Sequence, residues 1–461
     1  MGDSLRLGGP EQRRIAEGMA ADLRSTSVEL VAATFVDNSG IARVKGVPID
    51  RLPDVAQWGV GFSPVADVYL LNDGFTESAT AGGPVGDLRL VPDLDALTLL
   101  PAQPGWAWVP VDRFTQTGDI HPQCQRSLVR RQRTALADHG LDALMAFELE
   151  WMLSSGDGND FIPATTAPAY GTNRMVELSD YCIELTRALE TQGLHVQQLH
   201  PEYAAGQFEV SIAPGDPLEA ADHSVLAKQT IRAVGLRNSM RTTFAPCATA
   251  DGVGNGMHLH LSLWDGEHNT ALGGDGPANM SPRYESFLAG VLDHSPALLA
   301  VTAPSVASYL RLQPQHWSAP FRCWGVENRE AAVRIVGAPA GQPEAAANAE
   351  IKTIDATASP YLVVAAVLAA GIDGLDRGLT LPPPVDVDPA TMDVSTRTAR
   401  GIERLPATLI AATDQFAHDE VLRRELGVAL HETLIAIRRA EIELFADATD
   451  DEVVAATRKR H

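Results

Sequence analysis

The chain has 461 residues, 45% of them hydrophobic and 21% charged, with a net charge of −23. That length implies two or three domains with ample apolar content for their cores. A sequence pI near 4.9 argues against nucleic acid or an anionic membrane as the main partner.

Residues 1–24 mix acids and arginines in a helical extension without an apolar core segment, so no signal peptide is expected. "SVELVAATFVDNSGIARVKGVPI" (27–49) reads as two strands around an Asp-Asn-Ser-Gly turn. Gly- and Pro-rich irregular sequence comes next, to about residue 85, then short strands in "GDLRLVPDLDALTLLP" and "GWAWVPVD". Together, 25–120 reads as a small α+β domain, and 121–461 as the second, larger one. "QRSLVRRQRTALADHGL" has helical spacing and a Gly stop. Then come a strand at 147–154, a helix from Glu177 to Gly193, two strands in 195–212 and a helix over 221–236. "GMHLHLSLW" alternates strictly, 305–336 is mixed loop and strand, and "SPYLVVAAVLAAGIDGL" is an apolar helix. The C-terminal third is expected to be helical throughout, with "PPPVDVDP" as a surface loop. No run of about 18 apolar residues reads as a membrane span. Cys124, Cys182, Cys247 and Cys323 stand far apart without a CxxC pair. Reduced thiols in a cytoplasmic protein are therefore expected, not a disulfide framework or zinc module.

In "AFELEWML", at the 147–154 strand, alternation puts Phe147, Leu149, Trp151 and Leu153 on one face. Glu148 and Glu150 share the other, on a strand apolar enough to be central in a sheet. Three more segments carry similar groups. Glu202 and Glu209 flank a tight turn, His258 and His260 share a strand face, and Glu350 stands in "NAEIKTID". Taken singly, E-x-E or H-x-H on a strand is ordinarily a half-exposed face. Five converging buried acids would require cations. Hard divalent ions, two or more Mg²⁺ or Mn²⁺ per site, suit these oxygen-rich donors better than zinc.

The chain resembles the type I glutamine synthetase family over nearly its whole length. The matching pieces run in the family's order: E-x-E at 148–150, "HPEYAAGQFEV", "GNGMHLHLSL", "ENREAAVRI" and "DATASPYLVVAAVLAAGIDG". The resemblance implies an α+β fold: a β-grasp-like N-terminal domain, then a catalytic domain whose curved antiparallel sheet is surrounded by helices. It also implies a homo-oligomer, a dodecamer of two hexameric rings, in which a neighbouring subunit completes each site.

Carried over by position, Glu150, Glu202 and Glu209 resemble ligands of one metal; Glu148, His258 and Glu350 resemble ligands of a second. His260, Ser262 and Arg334 match ATP-binding positions. Gly254, Arg311, Arg329 and Lys352 match glutamate-binding positions, with Arg329 also steering the phosphoryl group. The implied chemistry uses ATP as co-substrate to phosphorylate the γ-carboxylate of L-glutamate, and a nitrogen nucleophile then attacks. Two metals and arginines would neutralise the phosphoryl oxygens. No Walker-type GxxxxGK[ST] occurs.

Departures from the family cluster at the ammonium site. The family's flap glutamate corresponds to Trp317 on gapless counting, or to Ser318 if the following Ala-Pro is aligned. The family's F-D-G-S-S aspartate falls near Val60 in "WGVGFSPVAD". Lys352 replaces an arginine, keeping charge without bidentate geometry. Val253 and Cys247 replace Asn and Lys, and no tyrosine follows Tyr361, so regulation by tyrosine adenylylation is not expected. Losing two acidic contacts while gaining an aromatic points to an organic amine, with Trp317, His316 and Val60 as its surroundings. The alternatives are an ordinary ammonia-using glutamine synthetase and an inactive structural or regulatory homologue. Intact ligand positions weigh against the last.

Overall fold

The computed structural model describes residues 7–156, 160–338 and 344–461. Helix α1 (Pro10–Ser25) occupies most of the expected N-terminal extension, whose first six residues lie outside the described ones. The hairpin around the Asp-Asn-Ser-Gly turn forms as expected. Strands β1 (Leu30–Val36) and β2 (Ala42–Pro48) pair antiparallel, and the Asp37 carboxylate accepts the backbone N–H groups of Ser39 and Ile41. After α2 (Leu52–Trp58) come β3 (Val60–Phe62), β4 (Leu88–Pro92), β5 (Thr98–Leu99) and β6 (Trp106–Phe114). The sheet runs β2-β1-β6-β4-β3, with β5 beside β6; only β1 and β6 are parallel. Its own core takes Ala16, Ala20 and Leu23 from α1 and Leu90, Val109 and Val111 from the sheet.

Apolar and ionic contacts tie this sheet to the larger second part of the chain. Ala32, Val36 and Trp108 belong to the main core of the chain. Arg126, at the start of α3 (Gln125–Asp138), is 3% exposed and bonds Asp93, Asp112 and Asp222. Removing one member of such a buried network strands the others' charges.

The second part is built on a nine-stranded sheet. Strand β7 (Asp142–Ser154) precedes α4 (Thr172–Glu177) and α5 (Ser179–Thr191), then β8 (Val196–Pro201) and β9 (Gln207–Ile212). Next come α6 (Pro217–Arg237), β10 (Arg241–Thr243), β11 (Met257–Asp265) and β12 (His268–Asn269). Beyond α7 (Pro282–Thr302) and α8 (Ser308–Arg311) lie β13 (Phe321–Arg322), β14 (Trp324–Val326), β15 (Val333–Val336) and β16 (Asn348–Ile351). The sheet order is β14-β15-β16-β11-β7-β9-β8, antiparallel except for β14 and β15. It curls into an open half-barrel. Phe147, Leu149, Trp151 and Leu153 lie in the core, where residues of α6 and the apolar helix α9 (Pro360–Arg377) also pack.

The helix expected over 177–193 forms as α5, and the short α4, absent from that expectation, precedes it across a break at Leu178 (φ −114, ψ 28). The buried Arg174 of α4 donates to the carbonyls of Ala167, Glu202 and Ala204, so the β8–β9 turn aims α4 independently of α5. Two expectations need correction. Helix α6 starts at Pro217, four residues earlier than expected, because Asp216 and Glu219 form a reciprocal capping box. The C-terminal third is not helical throughout. The proline run after Leu381 continues without regular secondary structure to a short 3₁₀ turn at Pro389–Thr391, and Glu403–Arg404 pairs with β13. No helix among the described residues is long and apolar enough to cross a membrane.

Candidate active site

Strand register brings the distant acids and imidazoles together. Glu148 of β7 stands opposite His258 of β11, and Glu150 opposite Glu209 of β9. Glu209 also faces His200 of β8, while Glu350 of β16 lies between His260 of β11 and Arg334 of β15. Side chains opposite one another in adjacent strands are neighbours. Polar positions on six strands therefore become one polar patch on one face of the sheet. A cavity of about 890 Å³ opens on it, with Arg311, Arg329 and Trp317 among its walls.

The contacts are dense. His258 Nδ1 lies 3.3 Å from Glu148 and 3.1 Å from Glu350, and its Nε2 lies 3.1 Å from the Arg311 guanidinium. Lys352 Nζ and Arg334 Nη1 donate to separate oxygens of Glu350, at 3.1 and 2.9 Å. Glu150 accepts from Gln207 and from the backbone N–H of Gly256, both at 2.9 Å. His200 Nε2 sits 3.0 Å from Glu209, and the Tyr170 hydroxyl donates to Glu202 at 2.9 Å. Gly254 and Gly256 permit this crowding. A Cβ on Gly254 would meet the Pro246 carbonyl oxygen at 2.2 Å; one on Gly256 would meet His258 Nε2 at 2.4 Å.

Electrostatics divides the acids. Burial opposes ionisation of Glu148, but hydrogen bonds to His258 and His260 outweigh it and hold its carboxyl well below the usual range. Burial likewise opposes ionisation of Glu350, but Lys352 and His258 hold it low. Burial together with Glu148, Glu150 and Glu202 pushes Glu209 well above that range; burial and Glu150 raise Glu202. Burial works against a charge on His260, yet the Glu148 hydrogen bond prevails and raises its pKa to about 9.

This donor set fits hard divalent cations. Among the described residues, two groups each offer three ligand atoms within 4.8 Å of one another: Glu148, His260 and Glu350, and His200, Glu202 and Glu209. The unrelieved repulsion at Glu209 is the kind a bound cation removes. Anion binding is also provided for: Arg311 Nη1 and Arg334 Nε are buried donors without a hydrogen-bond acceptor among the described residues.

Most of the residues singled out in the sequence converge here. Glu148, Glu150, Glu202, Glu209, His258, Gly254, Arg311, His316, Trp317, Arg329, Arg334 and Lys352 line the cavity, and Glu350 and His260 bond directly to members of that wall. Two do not line it. Ser262, further along β11, is buried and accepts the Trp264 indole N–H. Val60 lies in β3, paired with Leu90 in the other sheet. Of the two flap candidates, Trp317 borders the cavity, whereas Ser318 is 1% exposed and donates to the Gln313 carbonyl. Sequence reasoning missed His200, Gln207 and Tyr170. The first two stand inside "HPEYAAGQFEV"; Tyr170 sits in a loop at φ 56 without any periodic signal.

Residues 122–455 match the family model described as glutamine synthetase, catalytic domain. Over its full length the chain is 49% identical to the gamma-glutamylpolyamine synthetase GlnA3 of Streptomyces coelicolor, spanning 99% of that relative. It is 30% identical to a glutamine synthetase of Methanocaldococcus jannaschii, over 93% of this chain and 95% of the other. A solved structure described as a novel glutamine synthase homolog superposes with a TM-score of 0.84 at 34% identity, covering 94% of this chain and 99% of that one. By fold, by the residues its strand register gathers and by these end-to-end likenesses, the chain belongs to the glutamine synthetase family.

Proposed function

We propose that this chain is an ATP-dependent carbon–nitrogen ligase that joins the γ-carboxylate of L-glutamate to an organic primary amine. The observation that carries the reading is the composition of the cavity mouth. Gln315, His316 and Trp317 line it, with Trp317 57% exposed; this reading sets Trp317 where an ammonium site would need an acid. The likeness at 49% identity to a gamma-glutamylpolyamine synthetase supports the same class of nucleophile.

In this reading Arg311, Lys352 and the Gly254 loop hold glutamate, while Arg329, Arg334, His260 and Ser262 serve the nucleotide end. A γ-carboxylate oxygen attacks the terminal phosphorus of ATP; the bond to the bridging oxygen breaks and ADP leaves. The amine nitrogen then attacks the acyl carbon of γ-glutamyl phosphate, phosphate departs with the C–O electron pair, and the nitrogen gives up a proton. Glu150, Glu202 and Glu209, with Glu148, His258 and Glu350, would hold two Mg²⁺ or Mn²⁺ ions, which when bound screen charge on the phosphoryl oxygens. A protonated amine over the Trp317 ring gains about 0.5–2 kcal/mol, and each methylene it buries adds about 0.8 kcal/mol. Ammonium offers no methylene.

The proposal extends to assembly: a cytoplasmic dodecamer of two hexameric rings, in which β3 with Val60 reaches the site of a neighbouring copy. Mass measurement in solution tests it, and a fully active monomer refutes it. The activity is tested by phosphate release with glutamate, ATP and a panel of ammonium, ethanolamine, alkylamines, putrescine and spermidine. At least one amine is expected to exceed ammonium by about tenfold in kcat/KM. Efficient glutamine synthesis with no response to any amine would instead establish the ammonia-using alternative.

A further inference from the structure

The edge of the cavity is built on an unusual backbone. Gln315, Trp317 and Ala319 all have positive φ, at 64°, 54° and 57°, within five residues and without a glycine. Non-glycine residues adopt this region rarely and persist there only when their surroundings hold them. Here hydrogen bonds hold the turn. Gln313 accepts the Ser318 hydroxyl and the His316 N–H on its carbonyl, and its own amide donates to the Tyr309 carbonyl. The ionisable member of this support is Glu330. Its Oε1 accepts the Trp317 N–H at 2.8 Å. Glu330 is 6% exposed, and its Oε2 has no hydrogen-bond partner among the described residues. Its chain neighbour Arg329 lines the cavity, whereas Glu330 does not.

We propose that Glu330 is a positioning residue for the amine: its carboxylate clamps the 315–319 turn in the strained form that presents His316 and Trp317 to the cavity. This rests on the amine-ligase reading and adds what sets the nucleophile's selectivity. A buried carboxylate bonded to the backbone N–H of the left-handed Trp317 fixes the ring of that residue without touching any substrate. Loosening it leaves in place Arg311 of α8, the Gly254 loop and Lys352, which hold glutamate in this reading, and His260 of β11 at the nucleotide end.

The test uses the full-length enzyme with Mg²⁺, ATP, glutamate and either putrescine or ammonium. If the wild type uses no amine, the underlying reading fails before any variant is made. Otherwise Glu330→Ala is expected to lower kcat/KM for putrescine by about tenfold or more, chiefly through KM. The KM values of ATP and glutamate, and kcat/KM for ammonium, should stay within about twofold. Glu330→Gln keeps an oxygen acceptor for the Trp317 N–H and should remain within about threefold of wild type. On a Trp317→Ala background, Glu330→Ala should add no more than about twofold. Equal losses for putrescine and ammonium, an undiminished effect without Trp317, or no effect would each overturn the proposal. Should Glu330→Ala fail to fold, Glu330→Asp gives the same readout, because its shorter side chain withdraws the carboxylate from the turn.

Discussion

Replacing Trp317 by alanine separates the amine reading from an ordinary glutamine synthetase. The side chain is 57% exposed, and the residue's backbone N–H bond to Glu330 is one that alanine retains. Alanine also tolerates the φ of 54° no worse than tryptophan does. The fold should therefore be nearly indifferent, with a change within about 0.5 kcal/mol. What is lost is the ring: a cation–π contact of about 0.5–2 kcal/mol, and shielding for one or two methylenes at about 0.8 kcal/mol each. Since the indole covers only one side of the amine, about 1–2 kcal/mol is a reasonable sum, or roughly 5- to 30-fold in kcat/KM. The assay is phosphate release with putrescine and with ammonium in parallel, alongside a thermal melt. Putrescine turnover should fall by that factor while ammonium turnover stays within about threefold. Trp317→Glu should go further, raising ammonium use as it lowers amine use. An equal fall for both nucleophiles, or none for either, would refute the assignment of Trp317 to the amine.

The same geometry sets other outcomes. Burial and three neighbouring acids raise the Glu209 pKa above its ordinary 4.5, so folding favours its protonated form; that contribution is complete below 4.5 and lost as pH rises through the raised value. Without metal, Glu209→Gln should therefore melt close to wild type at low pH and increasingly above it as pH rises, while abolishing turnover; a gap that narrows with rising pH would count against this. Arg126→Ala leaves Asp93, Asp112 and Asp222 without their shared cation and should cost about 3–5 kcal/mol, read as a lower urea midpoint. Gly256→Ala would drive a methyl to 2.4 Å from His258 Nε2 and 2.9 Å from Arg311 Nη2. Turnover should drop by about a hundredfold or more with the melting temperature little changed, and Mn²⁺ titration should show weakened binding.

Much of the site is legible in one dimension, because a strand's period of two leaves a direct mark in sequence. "AFELEWML" and "GMHLHLSL" display their apolar and polar faces residue by residue, and the family's motif order supplies roles for the polar ones. The break at Leu178 leaves no such mark: no Gly or Pro announces it, and it depends on Arg174 gripping carbonyls about 30 residues away. Tyr170 is invisible for a similar reason, since a loop residue reaches Glu202 only after β8 and β9 have paired.

By itself, the sequence determined which strands carry acids and imidazoles and that those groups lie opposite the apolar face. Both are local facts, written in spacing and residue type. The tertiary structure decided what is non-local. Antiparallel register set Glu148 against His258 and Glu350 between His260 and Arg334, joining residues up to about 200 positions apart. It also chose Trp317 over Ser318 for the cavity wall, through a strained turn held by Glu330. Neither could be read from one dimension, because loop geometry and strand pairing are settled only when the whole core packs.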